Sequence, residues 1–289
     1  MLPGHEDREI AEKLADRGAP PADVFCFPLV ESWRDRLRAL LGDYLTAEVK
    51  AEFVRNPPEY VVSDDLSWLD DIIFAVTGET CDIKELTADR LAREYRAFRA
   101  GHATRTDDLA QFYRAGVRCL RAGEIEDRAR TIFLNGRFSH VTEDRLQQAV
   151  DDIEARKTSG GREGRLYFCA DELSLITRSG GSGHYLVYGS EYLYCLGIRV
   201  TSTWETKKAL KEIGRPTMLV CDIPMTLMRP STLREFAGSI LEYLFCELVE
   251  DLQSHALSPS SGSALSLTVD LPSEHIVGHY HPALIHDPF

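Results

Sequence analysis

The hydrophobic pattern of this 289-residue chain changes in character near residue 94. Before that point, apolar residues recur at helical spacing, most clearly in 30–54 and 63–78. After it, short apolar runs of strand type alternate with amphipathic helices, beginning with the strand-like segment EYRAFRAGHA. This change predicts a helical N-terminal domain over residues 1–92 and an α+β domain over residues 93–289.

Capping and helix-stopping residues set the limits of the predicted elements. Asn56 precedes two prolines and ends the first long helix, while Ser63 and Asp64 are expected to cap the second and Gly78 to stop it. Further helices are predicted at 107–116, 123–133, 141–157, 191–200, 201–214 and 232–253, and strands at 165–170, 184–190, 215–224, 265–272 and 274–281. The run 157–164 is predicted to be a flexible link.

Composition excludes several classes of protein. The chain is 44% hydrophobic, which is too apolar for a disordered protein, and its net charge of −13 opposes general coating of nucleic acid or anionic membranes. It has no apolar run long enough to span a bilayer, and its charged N-terminus lacks the apolar core of a signal peptide. Its seven cysteines form no CxxC pair, which favours reduced thiols in the core. A cytoplasmic protein without membrane contact is expected.

The first candidate site lies in the segment Gly101-His102-Ala103-Thr104-Arg105. A strand places His102 and Thr104 on one face, because alternate residues of a strand point the same way. A helix follows at once, capped by Asp107 or Asp108 and closed by Gly116. This strand is locally basic, because Arg93, Arg96, Arg99 and Arg105 are accompanied by one acid, Glu94, before Asp107, and this fits an anionic ligand.

Two later segments add aromatic and acidic side chains. GHYLVYGSEYL, residues 183–193, offers Tyr185, Tyr188 and Tyr192, whose rings suit stacking on a planar cation. LPSEHIV, residues 271–277, places Glu274 in a turn between two predicted strands. Glu191 is a second candidate acid, because it lies within the tyrosine cluster.

The order His-Thr, then Tyr, then Glu resembles the His-Tyr-Glu branch of the ADP-ribosyltransferase fold, which includes poly(ADP-ribose) polymerases, DarT-like toxins and RNA 2′-phosphotransferases. The resemblance covers residues 94–289 and implies a split β-sheet domain that uses NAD as its substrate. It departs from the family motif at Ala103, where the family carries glycine, and in lacking a Q/E-x-E element.

The resemblance also implies roles for individual residues. His102, Ala103 and Thr104 are expected to hold the ribose and carboxamide of the nicotinamide half, and Arg105 to pair with the pyrophosphate. Tyr185, with Tyr188 and Tyr192 as alternates, is expected to stack on nicotinamide. Glu274, or Glu191, would stabilise the positive charge that develops on the ribose.

The resemblance does not identify the acceptor of the ADP-ribose, and two alternative functions are also open. The acceptor is expected to be a protein or nucleic acid, in a toxin or phage-defence role, while the helical N-terminal domain binds a protein partner. One alternative is a non-catalytic regulatory protein on the same fold. Another is a metal-dependent hydrolase, since the C-terminal segment contains four potential ligands: His275, His279, His281 and His286.

Overall fold

A computed structural model describes residues 20–155, 163–177, 183–248 and 264–287. Helices make up 52% and strands 15%, which confirms the predicted α+β class. The strands are β1 (Val24–Phe25), β2 (Ala97–Thr106), β3 (Leu166–Cys169), β4 (Arg215–Pro224), β5 (Ala264–Leu267) and β6 (Ile276–Tyr280). The helices are α1 (Arg34–Leu40), α2 (Ala47–Arg55), α3 (Ser67–Thr77), α4 (Ile83–Glu94), α5 (Leu109–Ala115), α6 (Ala122–Phe133), α7 (Glu143–Ala155), α8 (Glu172–Thr177), α9 (His184–Tyr188), α10 (Glu191–Val200), α11 (Thr203–Lys211) and α12 (Pro230–Cys246). Most of the predicted link 157–164 lies outside the described residues.

The strands form one six-stranded sheet in the order β5-β3-β2-β4-β6, with β1 parallel to the first residues of β2. β3 runs antiparallel to β2, and Gly101 lies opposite Cys169. β6 runs antiparallel to β4, with Leu219 opposite His279. These two registers determine which side chains share a face of the sheet.

The chain divides into two compact units. One contains residues 101–221 and the chain from 267 onwards, and the other contains residues 20–100 with 222–266. In the second unit, helices from the N-terminal region share a hydrophobic core with α12, through residues that include Leu41, Phe53, Leu69, Ile73, Leu241 and Phe245. The predicted boundary between 92 and 93 is not tested by this grouping and stays a prediction.

Two sequence expectations in the second unit are wrong in detail. The helix predicted over 30–54 is divided into a 3₁₀ turn (Val30–Ser32), α1 and α2, because the Thr46 side chain accepts a hydrogen bond from the Val49 amide and starts a new helix. The next helix begins at Ser67 rather than after Ser63 and Asp64. Its stop at Gly78, which has a φ of 77°, is confirmed.

In the first unit, the strand predicted at 184–190 is the short helix α9. Tyrosine, valine and leucine favour strands, but burial of Leu186, Val187 and Tyr188 against neighbouring helices outweighs that preference. Other predictions are confirmed: Asp108 caps α5, which ends at Gly116, and β2, β3 and β4 lie where the sequence places them.

All seven cysteines are free thiols, as predicted. Among the helices of the described residues, none combines the length and apolar character needed to cross a bilayer.

Candidate functional site

The two faces of the sheet in the first unit differ in chemistry. On one face, Ala103 packs against Leu186 of α9 and Met218 of β4, within a cluster that Tyr185 and Tyr280 extend. We call this the apolar face. Alternation along β2 directs His102 and Thr104 to the opposite face. Both of these side chains are partly exposed.

The same opposite face continues across β4 and β6. Because Met218 belongs to the apolar face, its neighbours Thr217 and Leu219 point the other way. Leu219 pairs with His279, so His279 and, two residues on, His281 share that direction. We call the surface formed by His102, Thr104, Thr217, His279 and His281 the polar face. One polar face is common in an antiparallel sheet, and here it contains three histidines.

His102 is held in one defined orientation on the polar face. Its Nδ1 lies 2.9 Å from the carbonyl oxygen of Tyr167, which accepts only, so Nδ1 donates the proton. Burial lowers the pKa of His102 below its usual range, which keeps the ring neutral near pH 7. In this tautomer Nε2 is a hydrogen-bond acceptor, and no protein group within the described ranges bonds to it. His102 therefore offers an acceptor suited to a ligand hydroxyl.

An aromatic ring that the sequence analysis did not single out lies beside His102. Phe168 meets the imidazole edge-to-face, with ring centroids 5.6 Å apart. Its position follows from the pairing of Gly101 with Cys169, which places Phe168 opposite His102 on the neighbouring strand. The aromatic pattern of LYFC was the available signal, but only the register of β3 assigns this ring to the polar face.

Helix α5 lies against the polar face through Tyr113. Its hydroxyl is 2.8 Å from Nδ1 of His279, and the two rings meet edge-to-face. Burial raises the pKa of Tyr113, so its phenol remains protonated at neutral pH. No residue of α5 is fully buried, so the helix covers this face only loosely.

Glu274 lies on a 3₁₀ turn, Ser273–His275, that contacts α5. Gly116 brings them together: its φ is 79°, and a Cβ there would lie 2.1 Å from the carbonyl oxygen of Leu271. Only glycine permits this approach. Glu274 is exposed. Helix α5 thus contacts both the polar face, through Tyr113, and the turn that carries Glu274.

Ala103, Arg105 and Tyr185 lie elsewhere. Ala103 and the Tyr185 ring belong to the apolar face, so Tyr185 and His102 are on opposite sides of β2. The Arg105 guanidinium donates four hydrogen bonds to carbonyl oxygens, those of Leu186, Lys211, Ile213 and Gly214. It therefore stabilises the fold with the donors that a pyrophosphate would need.

The remaining candidates also have structural partners. Tyr188 is 1% exposed and its hydroxyl donates to the Asp287 carboxylate at 2.6 Å, while Tyr192 donates to Glu126 at 2.9 Å. Burial, then the bonded carboxylate, raises the pKa of each tyrosine. Glu191 is in the first turn of α10, 3.6 Å from Nε2 of His184. These partners, Asp287, Glu126 and His184, lie outside the polar face.

The C-terminal histidines do not gather into a metal centre within the described ranges, where no group of three or more histidine, cysteine or acidic ligands converges. His279 and His281 are neighbours, with ring centroids 5.4 Å apart. The structure thus offers no support for a metal-dependent hydrolase built on these residues.

The lowered pKa of His102 makes stability depend on pH. In the unfolded chain His102 takes up a proton near pH 6.5, but in the folded chain its pKa is lower. The unfolded state therefore binds more protons between these values, and stability falls as pH decreases through that window. Thermal unfolding is measured at about pH 7.5 and at about pH 5.5. The loss of stability between the two pH values should be smaller for His102→Gln than for the wild type. Equal losses in both proteins would contradict a lowered pKa of His102 in the folded protein.

No protein-family model, curated protein or solved structure matches this chain.

Proposed function

We propose that this protein is an NAD-dependent ADP-ribosyltransferase, acting in the cytoplasm on a protein or nucleic acid acceptor. The observation that carries the proposal is the neutral His102, whose Nε2 acceptor is presented from the polar face. A ribose hydroxyl is the natural donor to such an atom. The order of the His-Thr and Glu segments along the chain gives the same assignment.

The proposed roles follow from position. His102 and Thr104 bind ribose hydroxyls, and the backbone around Ala103 pairs with the carboxamide, which needs one donor and one acceptor. Phe168 replaces Tyr185 as the aromatic ring nearest His102. Glu274, on the adjoining turn, stabilises positive charge on the ribose as the bond to nicotinamide breaks. Nicotinamide leaves with the bond's electron pair, and the acceptor atom that bonds to the ribose loses its proton.

Calorimetric titration with NAD tests the binding half of this proposal. The full-length wild type should bind NAD, and His102→Ala should weaken binding by about tenfold, the usual consequence of losing one good hydrogen bond. His140→Ala provides a matched control, because His140 is an exposed histidine of the same unit. Its affinity for NAD should equal that of the wild type.

The competing proposal is a regulatory protein that keeps the fold without catalysis. It predicts that nicotinamide is never released, whether or not NAD binds. Absence of NAD binding in the wild type, with the protein folded by circular dichroism, would contradict the transferase.

A further inference from the structure

A second guanidinium lies at the end of the polar face. Arg215 is the first residue of β4 and is exposed. In the part of the chain that the structure describes, its guanidinium has no hydrogen-bond or ion-pair partner. It follows Gly214, where a Cβ would lie 2.9 Å from the Thr106 amide, so Arg215 begins β4 beside the end of β2. Arg105, by contrast, donates hydrogen bonds to backbone carbonyl groups.

The Thr217 side chain connects the backbone at Arg215 to His281 through hydrogen bonds. Alternation places Arg215 and Thr217 on the polar face. The Thr217 hydroxyl donates to the Arg215 carbonyl at 3.0 Å and lies 3.2 Å from Nδ1 of His281. That Nδ1 also donates to the Pro216 carbonyl at 3.0 Å. The hydrogen bonds at Nδ1 therefore orient the His281 ring, and Nε2 is its remaining polar atom.

The positive charge of Arg215 acts on His279. Partial burial lowers the pKa of His279, and the nearby charges of His281 and Arg215 lower it further. No acidic group contributes to this shift. Arg114 of α5 forms an ion pair with the N-cap residue Asp108 at 3.2 Å, and Tyr113 adds a neutral hydroxyl. Arg215 thus supplies a positive charge beside His279, within a chain whose net charge is −13.

We propose that Arg215, His279 and His281 form a binding subsite for a phosphoryl group. A guanidinium binds two phosphoryl oxygens at once through its planar fork. Nε2 of His281 donates only when the ring is protonated, because Nδ1 already donates to the Pro216 carbonyl. A bound anion favours the protonated forms of both imidazoles, and these forms supply further N–H donors. The phosphoryl group belongs either to the pyrophosphate of a dinucleotide or to a phosphorylated acceptor. Only the first of these sources rests on the proposed transferase function.

Calorimetric titration with inorganic pyrophosphate tests the subsite directly. The full-length wild type should bind pyrophosphate, and Arg215→Gln should bind it at least about tenfold more weakly, because a charge-assisted contact is lost. Arg145→Gln makes the same change of charge at an exposed arginine of the same unit and should bind like the wild type. Failure of the wild type to bind, or equal binding by Arg215→Gln, would overturn the proposal.

A second readout separates an ion-binding role from a structural one. Proton NMR titration of the imidazole signals should show that saturating pyrophosphate raises the pKa of His279 and His281 in the wild type. The same addition to Arg215→Gln, at equal pyrophosphate concentration, should raise them less. Unchanged histidine titration in a wild type saturated with pyrophosphate would place the anion elsewhere and refute the subsite.

The source of the phosphoryl group is found by comparing NAD with nicotinamide riboside, which has no phosphate. If Arg215→Gln weakens NAD binding about tenfold and leaves the riboside unaffected, the subsite holds the dinucleotide. A second outcome is that the wild type binds NAD and pyrophosphate at the same time, while Arg215→Gln binds NAD as tightly as the wild type does. The subsite then holds the phosphoryl group of the acceptor. Pyrophosphate binding without any NAD binding would support the subsite and contradict only the transferase.

Discussion

Replacing Arg105 by leucine is expected to lower the free energy of unfolding by at least about 3 kcal/mol. Arg105 is 8% exposed, and its guanidinium donates to four carbonyl oxygens, three of them at the end of α11. Helix C-termini leave carbonyls without intrahelical partners, and Arg105 satisfies these. Leucine fills part of the volume but leaves buried carbonyls without donors, each at a cost of about 1–3 kcal/mol.

Equilibrium unfolding in denaturant, followed by circular dichroism, measures this loss. Arg105→Lys keeps the charge but lacks the planar fork, so its stability should fall between those of the wild type and Arg105→Leu. Arg145→Leu, at an exposed arginine of α7, should change stability by no more than about 0.5 kcal/mol. If Arg105→Leu were as stable as Arg145→Leu, Arg105 would not have the structural role assigned to it.

Replacing Glu274 by glutamine is expected to lower kcat for nicotinamide release by about 100-fold or more. The amide has nearly the same shape but no charge, so it loses the stabilisation of the cation that develops on the ribose. Because Glu274 is exposed on a 3₁₀ turn, the variant should keep the fold and the NAD affinity of the wild type. A fall in kcat at constant affinity is the signature of an interaction made in the transition state.

Two further variants make this assignment specific. Glu59→Gln changes an exposed glutamate of the other unit and should leave turnover unchanged. Glu191→Gln tests the rival acid, which lies beside His184 in the first turn of α10. Full activity in Glu274→Gln together with a large loss in Glu191→Gln would move the catalytic role to Glu191.

Local sequence signals were sufficient for the framework around the site. Asp108 and Gly116 predict the limits of α5 because a carboxylate caps a helix and glycine alone adopts the positive φ that ends it. The apolar run of β4 predicts a strand buried on both faces. The placement of His102 and Thr104 together needs only the alternation of a strand.

Tertiary packing determined what the sequence could not predict. Tyr185 lies in a strand-favouring segment that packing turns into helix, and this places its ring on the face opposite His102. Arg105 is a charged residue on a strand, and nothing local shows that carbonyls of α11 converge on it. Phe168 and Arg215 join the polar face through strand pairing, which depends on residues far away in the sequence.

Nicotinamide release from NAD is the most direct test of the central claim. The purified full-length wild type, incubated with NAD and cell extract as a source of acceptors, should release nicotinamide and transfer labelled ADP-ribose to a macromolecule. His102→Ala should lower both signals, and His140→Ala should match the wild type. A folded wild type that releases no nicotinamide and transfers no label under these conditions would contradict the assignment of the polar face as an ADP-ribosyltransferase site.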